Sequence, residues 1–351
     1  MNILIKESSD KANALDIAQG ACFGKLKNEQ KLAIVELVRR FGGAATDAVL
    51  DPVMQIFTEP SIYGFISYRL NKKCVIIFGD PICRASDKSL LSNAFHLFME
   101  KQGKSITYIG ASEDYAKWAI KHTCHVLIGF GKELILDPSS NPRERPGTHG
   151  SLVRRKVKQA VREGVTVLEY LTSDPMVELG IKQVGTAWLQ GRQGLQLHIS
   201  NVYLFDNRLG KRWFYAKQGE HIIGVVSLNQ LQEHKGWLLN HLMVIPDAPK
   251  GTSELLVISA LEALEKEECK FVSVGIVAAA ELGEIIGLGK FSTWITRNGF
   301  MIAKKIIQLE GLNTFWGKFH PESKPLYILF SKSRIGFAEL TSLKLALSGT
   351  T

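Results

Sequence analysis

Hydrophobic and polar positions along this chain switch between a helical and an extended rhythm, and the switches predict its elements. The stretch KLAIVELVRRFGG puts Ile34, Leu37 and Val38 on one helical face and stops at Gly42-Gly43, so residues 1–45 read as a helical segment. Apolar runs at 63–70 and 74–78 flank the polar turn Asn71-Lys72-Lys73 and predict a hairpin. Residues 87–102 predict an amphipathic helix, with Leu90, Leu91, Ala94, Phe95, Leu97 and Phe98 on its apolar side and Ser86 or Asp87 as cap. A strand at 106–109, a helix from Glu113, and strands at 125–130 and 133–136 follow. Residues 138–150, rich in Pro, Ser, Gly and Arg, read as a loop before a helix at 151–163 that ends at Gly164.

The pattern then resumes. A helix is predicted at 175–191, strands at 201–205, 212–217, 221–227 and 237–245, a turn at 249–251, a helix at 252–267 and a strand at 270–275. An apolar segment around 276–298, strands near 300–309 and 325–331, and a helix after Gly336 complete the chain. Strands interleaved with helices imply an α/β or α+β fold, a mixed sheet flanked by helices. Both halves share an order of strands, helix, strand, helix, strand, which hints at duplication. The 351 residues suit two domains of ordinary size. The expected division is an N-terminal helical segment (1–45), a first lobe (46–170), a second lobe (171–335) and a C-terminal helix or tail (336–351).

Charge narrows the partners. Lys and Arg number 43 against 34 Asp and Glu, a formal net charge of +9. Such an excess suits nucleic acid, an acidic membrane surface or a phosphorylated ligand, and equally an ordinary basic surface. Cys22, Cys74, Cys83, Cys124 and Cys269 form no C-x-x-C pair and read as reduced, mostly buried thiols. The first residues are charged early, and no stretch reaches the ~18–20 apolar residues of a spanning helix. A cytoplasmic protein, at most peripheral on a membrane face, is expected. The nine histidines show no metal-ligand spacing, and no Walker loop, G-x-G-x-x-G or G-x-S-x-G is present. Neither metal nor cofactor is therefore expected.

Three segments carry candidate chemistry. Arg154, Arg155, Lys158 and Arg162 fall on one side of the 151–163 helix, opposite Val153, Val157, Ala160 and Val161, with Arg143 and Arg145 just before. Such a face can hold several phosphates of a nucleic acid, or be a solvated surface. At Lys250, Gly251 and Thr252 a strand–turn–helix junction could seat a pyrophosphate on free amides, though only one glycine of such a loop is present and a plain turn reads equally well. In 311–328, Phe315, Trp316 and Phe319 interleave with Lys318, His320 and Lys324, an arrangement that can stack on bases or form a core edge.

Short motifs in a shared order resemble the C-terminal synthase domain of bacterial phosphatidylglycerol lysyltransferases over about residues 50–332. They are I-I-F-G-D-P (Ile76 to Pro81), G-F-G-K-E-L-I-L-D (Gly129 to Asp137), and the basic helix from Leu152 to Gly164. P-K-G-T-S-E-L-L (Pro249 to Leu256), S-V-G-I-V-A-A-A (Ser273 to Ala280) and F-W-G-K-F-H-P (Phe315 to Pro321) complete the set. The resemblance implies two tandem GNAT-like lobes and transfer of an aminoacyl group from charged tRNA to the glycerol hydroxyl of phosphatidylglycerol. It implies charged tRNA and anionic membrane lipid as partners, with the basic helix on the acceptor stem. Glu254 matches a family acid and would orient or accept a proton, unless it is simply a first-turn helix acid. Lys318 would contact a phosphate or carbonyl. The chain departs from the family where D-x-M-R is usual: His241-Leu242-Met243-Val244 stands there, His241 being a replacement polar group. Trp316 and Leu326 replace a lysine and an arginine. These departures leave room for another acceptor, for a GNAT enzyme using acyl-coenzyme A, or for a non-catalytic binding module.

Overall fold

The runs that read as continuously apolar lie at the centre of one sheet. A computed structural model describes residues 15–348 except 16, 46, 72, 192–201 and 308–309. A first pass of the chain forms β1 (Ala21–Cys22), α1 (Asn28–Phe41), β2 (Gln55–Thr58), β3 (Phe65–Asn71), β4 (Cys74–Phe78), α2 (Lys88–Lys101), β5 (Ser105–Ala111), α3 (Glu113–His122) and β6 (Val126–Leu136). Helix α4 (Gly147–Arg162) leads to a second pass. That pass forms β7 (Val165–Glu169), α5 (Pro175–Gly191), β8 (Lys211–Gln218), β9 (His221–Leu231), β10 (Gly236–Val244), α6 (Thr252–Glu265) and β11 (Val272–Ala278). It closes with β12 (Ile285–Ile286), α7 (Lys290–Ile307), α8 (Glu310–Gly317), β13 (Glu322–Phe330) and α9 (Phe337–Ser348).

The fold is mixed α/β, a large mixed sheet flanked by helices. Among the described residues the strands join in the order β1-β2-β3-β4-β5-β13-β6-β11-β10-β9-β8-β7, with β12 beside β6. This order is a palindrome of two passes that have exchanged their last strands. β13 of the second pass lies antiparallel between β5 and β6, and β6 of the first lies antiparallel to β11. Each pass has one parallel pair, β4 with β5 and β10 with β11, joined by a crossover helix. All residues of β4 and β5 are buried, which is why they carry no alternation.

Helices take their places by stripe. Val153, Val157 and Ala160 of α4 are buried with Leu256, Leu261 and Leu264 of α6 in one core. Ile34, Leu37 and Val38 of α1 fill a second, and Leu91 and Phe95 of α2 with Ala116 and Ala119 of α3 fill a third. The predicted hairpin forms, with Tyr68 opposite Ile77 and Asn71 opposite Cys74.

Five expectations need correction. Residues 17–27, inside the expected helical segment 1–45, form strand β1 and turns, with the helix only from Asn28. The two strands expected at 125–130 and 133–136 are one long strand, β6 (Val126–Leu136), that bends through register shifts instead of turning. Helix α4 starts at Gly147, inside the expected loop. Residues 202–205 form no strand. Residues 300–307 are helical, because their apolar positions continue the 3.6-residue stripe that begins at Phe291. The remainder of those expectations, at 1–14, 201, 308–309 and 349–351, lies outside the described residues.

Candidate active site and cationic face

Helices α4 and α6 meet closely because Gly251 has no side chain. Its φ of 98° caps α6, and a Cβ added there would stand 2.0 Å from the Lys156 carbonyl oxygen of α4. Glu254 follows in the first turn of α6 and is buried. The Lys318 Nζ donates to Glu254 Oε1 at 2.5 Å, with 12% and 8% of the two side chains exposed. That ammonium also lies 4.1 Å from the Phe315 ring centroid. Phe315, Trp316 and Phe319 pack edge-on or tilted against one another, with Trp316 and Phe319 buried in the α4–α6 core. Their aromatic surface therefore holds Lys318 in place.

At the turn before α6, Lys250 is exposed, whereas Gly251 and Thr252 are buried. The Thr252 hydroxyl donates to the Pro249 carbonyl at 2.7 Å, and its amide turns to the same oxygen. These bonds occupy both Thr252 donors within the turn.

On α4 the four predicted cations divide. Arg155, Lys158 and Arg162 are exposed and line an open groove of about 560 Å³ with Ser151, Gln159 and Glu163. Arg154 also reaches this groove, but its guanidinium donates to the Arg143 and Arg145 carbonyls at 2.6 and 2.9 Å. Arg143 pairs with Glu262 at 2.9 Å, and Arg145 donates to Ser140 and to the His320 carbonyl. The rings of His149 and His320 lie 4.6 Å apart. The loop before α4 is thus tied to the Lys318 turn.

His241 lies away from this pair, on β10, in a buried polar cluster. Its Nδ1 receives the Asn240 amide at 2.9 Å and lies 3.1 Å from the Ser227 hydroxyl. Burial pushes its pKa down to about 4, against the pull of nearby Asp47, so the imidazole is neutral at neutral pH. Asp47, from the connection after α1, accepts from Asn229 at 2.8 Å and Asn240 at 2.5 Å. Lys211 of β8 and Arg39 of α1 stand 3.5 and 3.6 Å from its oxygens. Burial alone would raise the Asp47 carboxyl, but the two cations, His241 and the Asn229 bond hold it below the usual range.

Sequence reasoning missed this cluster, and also Glu133. On β6, Glu133 accepts from the Ser273 hydroxyl at 2.7 Å, and burial raises its pKa. Ser273 in turn receives the Gly275 amide at 3.1 Å. Both residues sit inside motifs already quoted, but nothing in their spacing separates them from strand neighbours. Asp80 of G-D-P accepts from the Ser112 amide and hydroxyl and from Lys88, which joins β4 to the cap of α3. The buried Cys83 and Cys124 thiols are pushed up to about 12 by burial, which leaves neither as a thiolate nucleophile.

Residues 45–330 match the family described as the C-terminal region of phosphatidylglycerol lysyltransferase. The chain belongs to this family. A phosphatidylglycerol lysyltransferase of Staphylococcus epidermidis is 20% identical over 304 residues, 84% of this chain and 35% of the relative. The chain thus spans about a third of the length of the curated relatives it matches. The C-terminal domain of a protein described as a lysylphosphatidylglycerol synthetase from Agrobacterium fabrum superposes with a TM-score of 0.76 at 18% identity, covering 92% of this chain and 98% of that one. The L-PGS structure from Bacillus licheniformis does so at 0.72 and 15%, covering 93% and 98%. At these identities the two structures establish a shared fold.

Proposed function

We propose that this chain is an aminoacyl-tRNA-dependent aminoacyl transferase whose acceptor is the glycerol hydroxyl of phosphatidylglycerol or a related lipid alcohol. The observation that carries this reading is the close α4–α6 contact at Gly251. It joins the helix with the exposed cationic face, Arg155, Lys158 and Arg162, to the helix whose first turn carries the buried Glu254 of the Glu254–Lys318 pair. A phosphate backbone on the cations would leave the aminoacyl end to reach inward. In the reaction, the acceptor oxygen bonds to the aminoacyl carbonyl carbon, and the ester bond to the terminal ribose breaks. The acceptor proton passes to the departing ribose oxygen. Glu254 would orient or relay that proton, and Lys318 would face the carbonyl oxygen or a phosphate.

An acyl-coenzyme A reading is less well supported, because the Thr252 amide and hydroxyl are both taken by the Pro249 carbonyl. Two measurements test the transferase reading. Charged-tRNA affinity should fall steeply with salt, and Arg155→Glu with Lys158→Glu and Arg162→Glu should lower the log–log slope by roughly 2 to 3. Lipid mass spectrometry of cells expressing the chain should show a new aminoacylated species that disappears with Glu254→Gln or Lys318→Ala. Unchanged tRNA affinity in the triple variant, together with no new lipid, would overturn the proposal.

A further inference from the structure

Helix α7 turns an apolar face outward. Phe291, Trp294, Ile295 and Met301 are 73%, 63%, 48% and 38% exposed, and Ile286 just before the helix is 38% exposed. At about 100° per residue these four helical positions share one side, and Phe300 falls opposite them. Phe300 packs inward against the cluster containing Val126, Ile128 and Phe330. Arg297 ties the helix down from its flank, donating to the Leu282 and Gly283 carbonyls at 2.5 and 2.9 Å. The apolar stripe is therefore the face left over after the helix has been seated. Phe291 and Trp294 lie nearly parallel on it, 6.3 Å between centroids.

Charge identifies what covers this face. The helix sequence KFSTWITRNGFMIAKKII contains four cations, Lys290, Arg297, Lys304 and Lys305, and no acid. The chain as a whole carries +9. A neighbouring copy of so basic a chain would bring like charge to the stripe, whereas an anionic bilayer brings the opposite charge together with an apolar layer. Trp and Phe on a cationic amphipathic helix are the composition of helices that lie in the membrane–water interface. Among the described residues no helix is long and apolar enough to cross a membrane, so contact through α7 would lie in the plane of the surface.

We propose that α7 is an interfacial docking helix that seats this chain on an anionic phospholipid bilayer, Phe291 and Trp294 entering the headgroup region. This goes beyond the transferase reading, because docking requires neither tRNA nor turnover. The test is flotation of the protein with vesicles of phosphatidylglycerol and phosphatidylcholine, or of phosphatidylcholine alone, without tRNA. Binding is expected to the anionic vesicles and to weaken with salt. Phe291→Ser with Trp294→Ser should weaken it about tenfold or more, because two large apolar side chains leave the interface. Both residues are exposed, so the melting temperature should hold, and brominated lipid should quench the Trp294 emission. Equal vesicle binding by the double variant overturns the proposal, as does equal binding to uncharged vesicles. A concentration-dependent dimer that this variant abolishes, with no vesicle binding, would assign the face to a second copy instead. Loss of lipid aminoacylation with docking intact would count against the transferase reading alone.

Discussion

Asp47→Asn is the substitution that most directly tests how the two passes of the chain are held together. The change preserves shape and removes one buried charge. In the native cluster that charge answers Lys211 at 3.5 Å and Arg39 at 3.6 Å, while Asn229 and Asn240 donate to it. The Arg39 and Lys211 side chains are 0% and 3% exposed, so water cannot take over from the carboxylate. Breaking a buried ion pair from one side typically costs about 3–5 kcal/mol, because the partner's charge is left uncompensated. The cost here has a built-in relief. Burial already lowers the Lys211 pKa, and without Asp47 it falls further. Lysine with a depressed folded pKa gains stability as pH rises toward its unfolded value, since the folded state has already released the proton. The deficit should therefore be about 3–5 kcal/mol at pH 7 and should shrink toward pH 10. Adding Lys211→Met should recover part of it by removing the orphaned cation. Urea unfolding followed by tryptophan fluorescence, at pH 7 and pH 9.5, compares the wild type with both variants. A loss below about 1 kcal/mol at pH 7, typical of exposed pairs, would refute the reasoning.

Acidification should destabilise the native protein before its carboxylates titrate. Burial holds His96 and His241 near pKa 4, whereas in the unfolded chain they return to about 6.5. The unfolded state takes the proton first, so stability falls as pH drops from about 6.5 toward 4, by up to about 1.4 kcal/mol per unit for each histidine. Urea midpoints across this range should show the decline, and His241→Gln should make it shallower; an unchanged slope would remove His241 from the account. Gly251→Ala, with its Cβ 2.0 Å from the Lys156 oxygen and φ at 98°, should cost about 1–3 kcal/mol or more in thermal melts. Gly299→Ala, in the middle of α7 with nothing within 4 Å, should instead stabilise by about 0.5–1 kcal/mol, and a loss there would mean that the helix is packed on that side.

Local rhythm made the elements legible wherever one face of an element is buried. The β3–β4 hairpin, the stripe of α4 and the apolar centre of the sheet all follow from spacing. The exchange of β6 and β13 does not. Both strands read as ordinary closing strands, and which neighbours they choose is settled by pairings across about 140 to 200 residues of chain. The helical end of α7 was hidden for another reason. Its last eight positions satisfy either period, and only the stripe from Phe291 onward decides.

The candidate site was partly legible for the same kind of reason. Glu254 and Lys318, 64 positions apart, could be singled out because each sits in a motif with a recognisable order, and they prove to be one ion pair. His241 and Val244 were read as lost charges because position was compared with position. In space, the charge near this part of β10 comes from other elements: Asp47 after α1, Arg39 within α1, and Lys211 on β8. The neutral Asn240 and His241 side chains face that carboxylate, Asn240 by a hydrogen bond and His241 through its field. Burial and the Lys211 charge keep His241 neutral against the pull of Asp47, so it is Lys211 and Arg39, not His241, that the carboxylate has to answer. The unit that must be preserved here is the balance of the set, and an interior with one carboxylate, one ammonium, one guanidinium and one neutral imidazole can be assembled from whichever elements reach it. Substituting His241 by an acid would place a second carboxylate beside Asp47 in a buried cluster, and should cost stability that replacing Asp47 as well would partly restore.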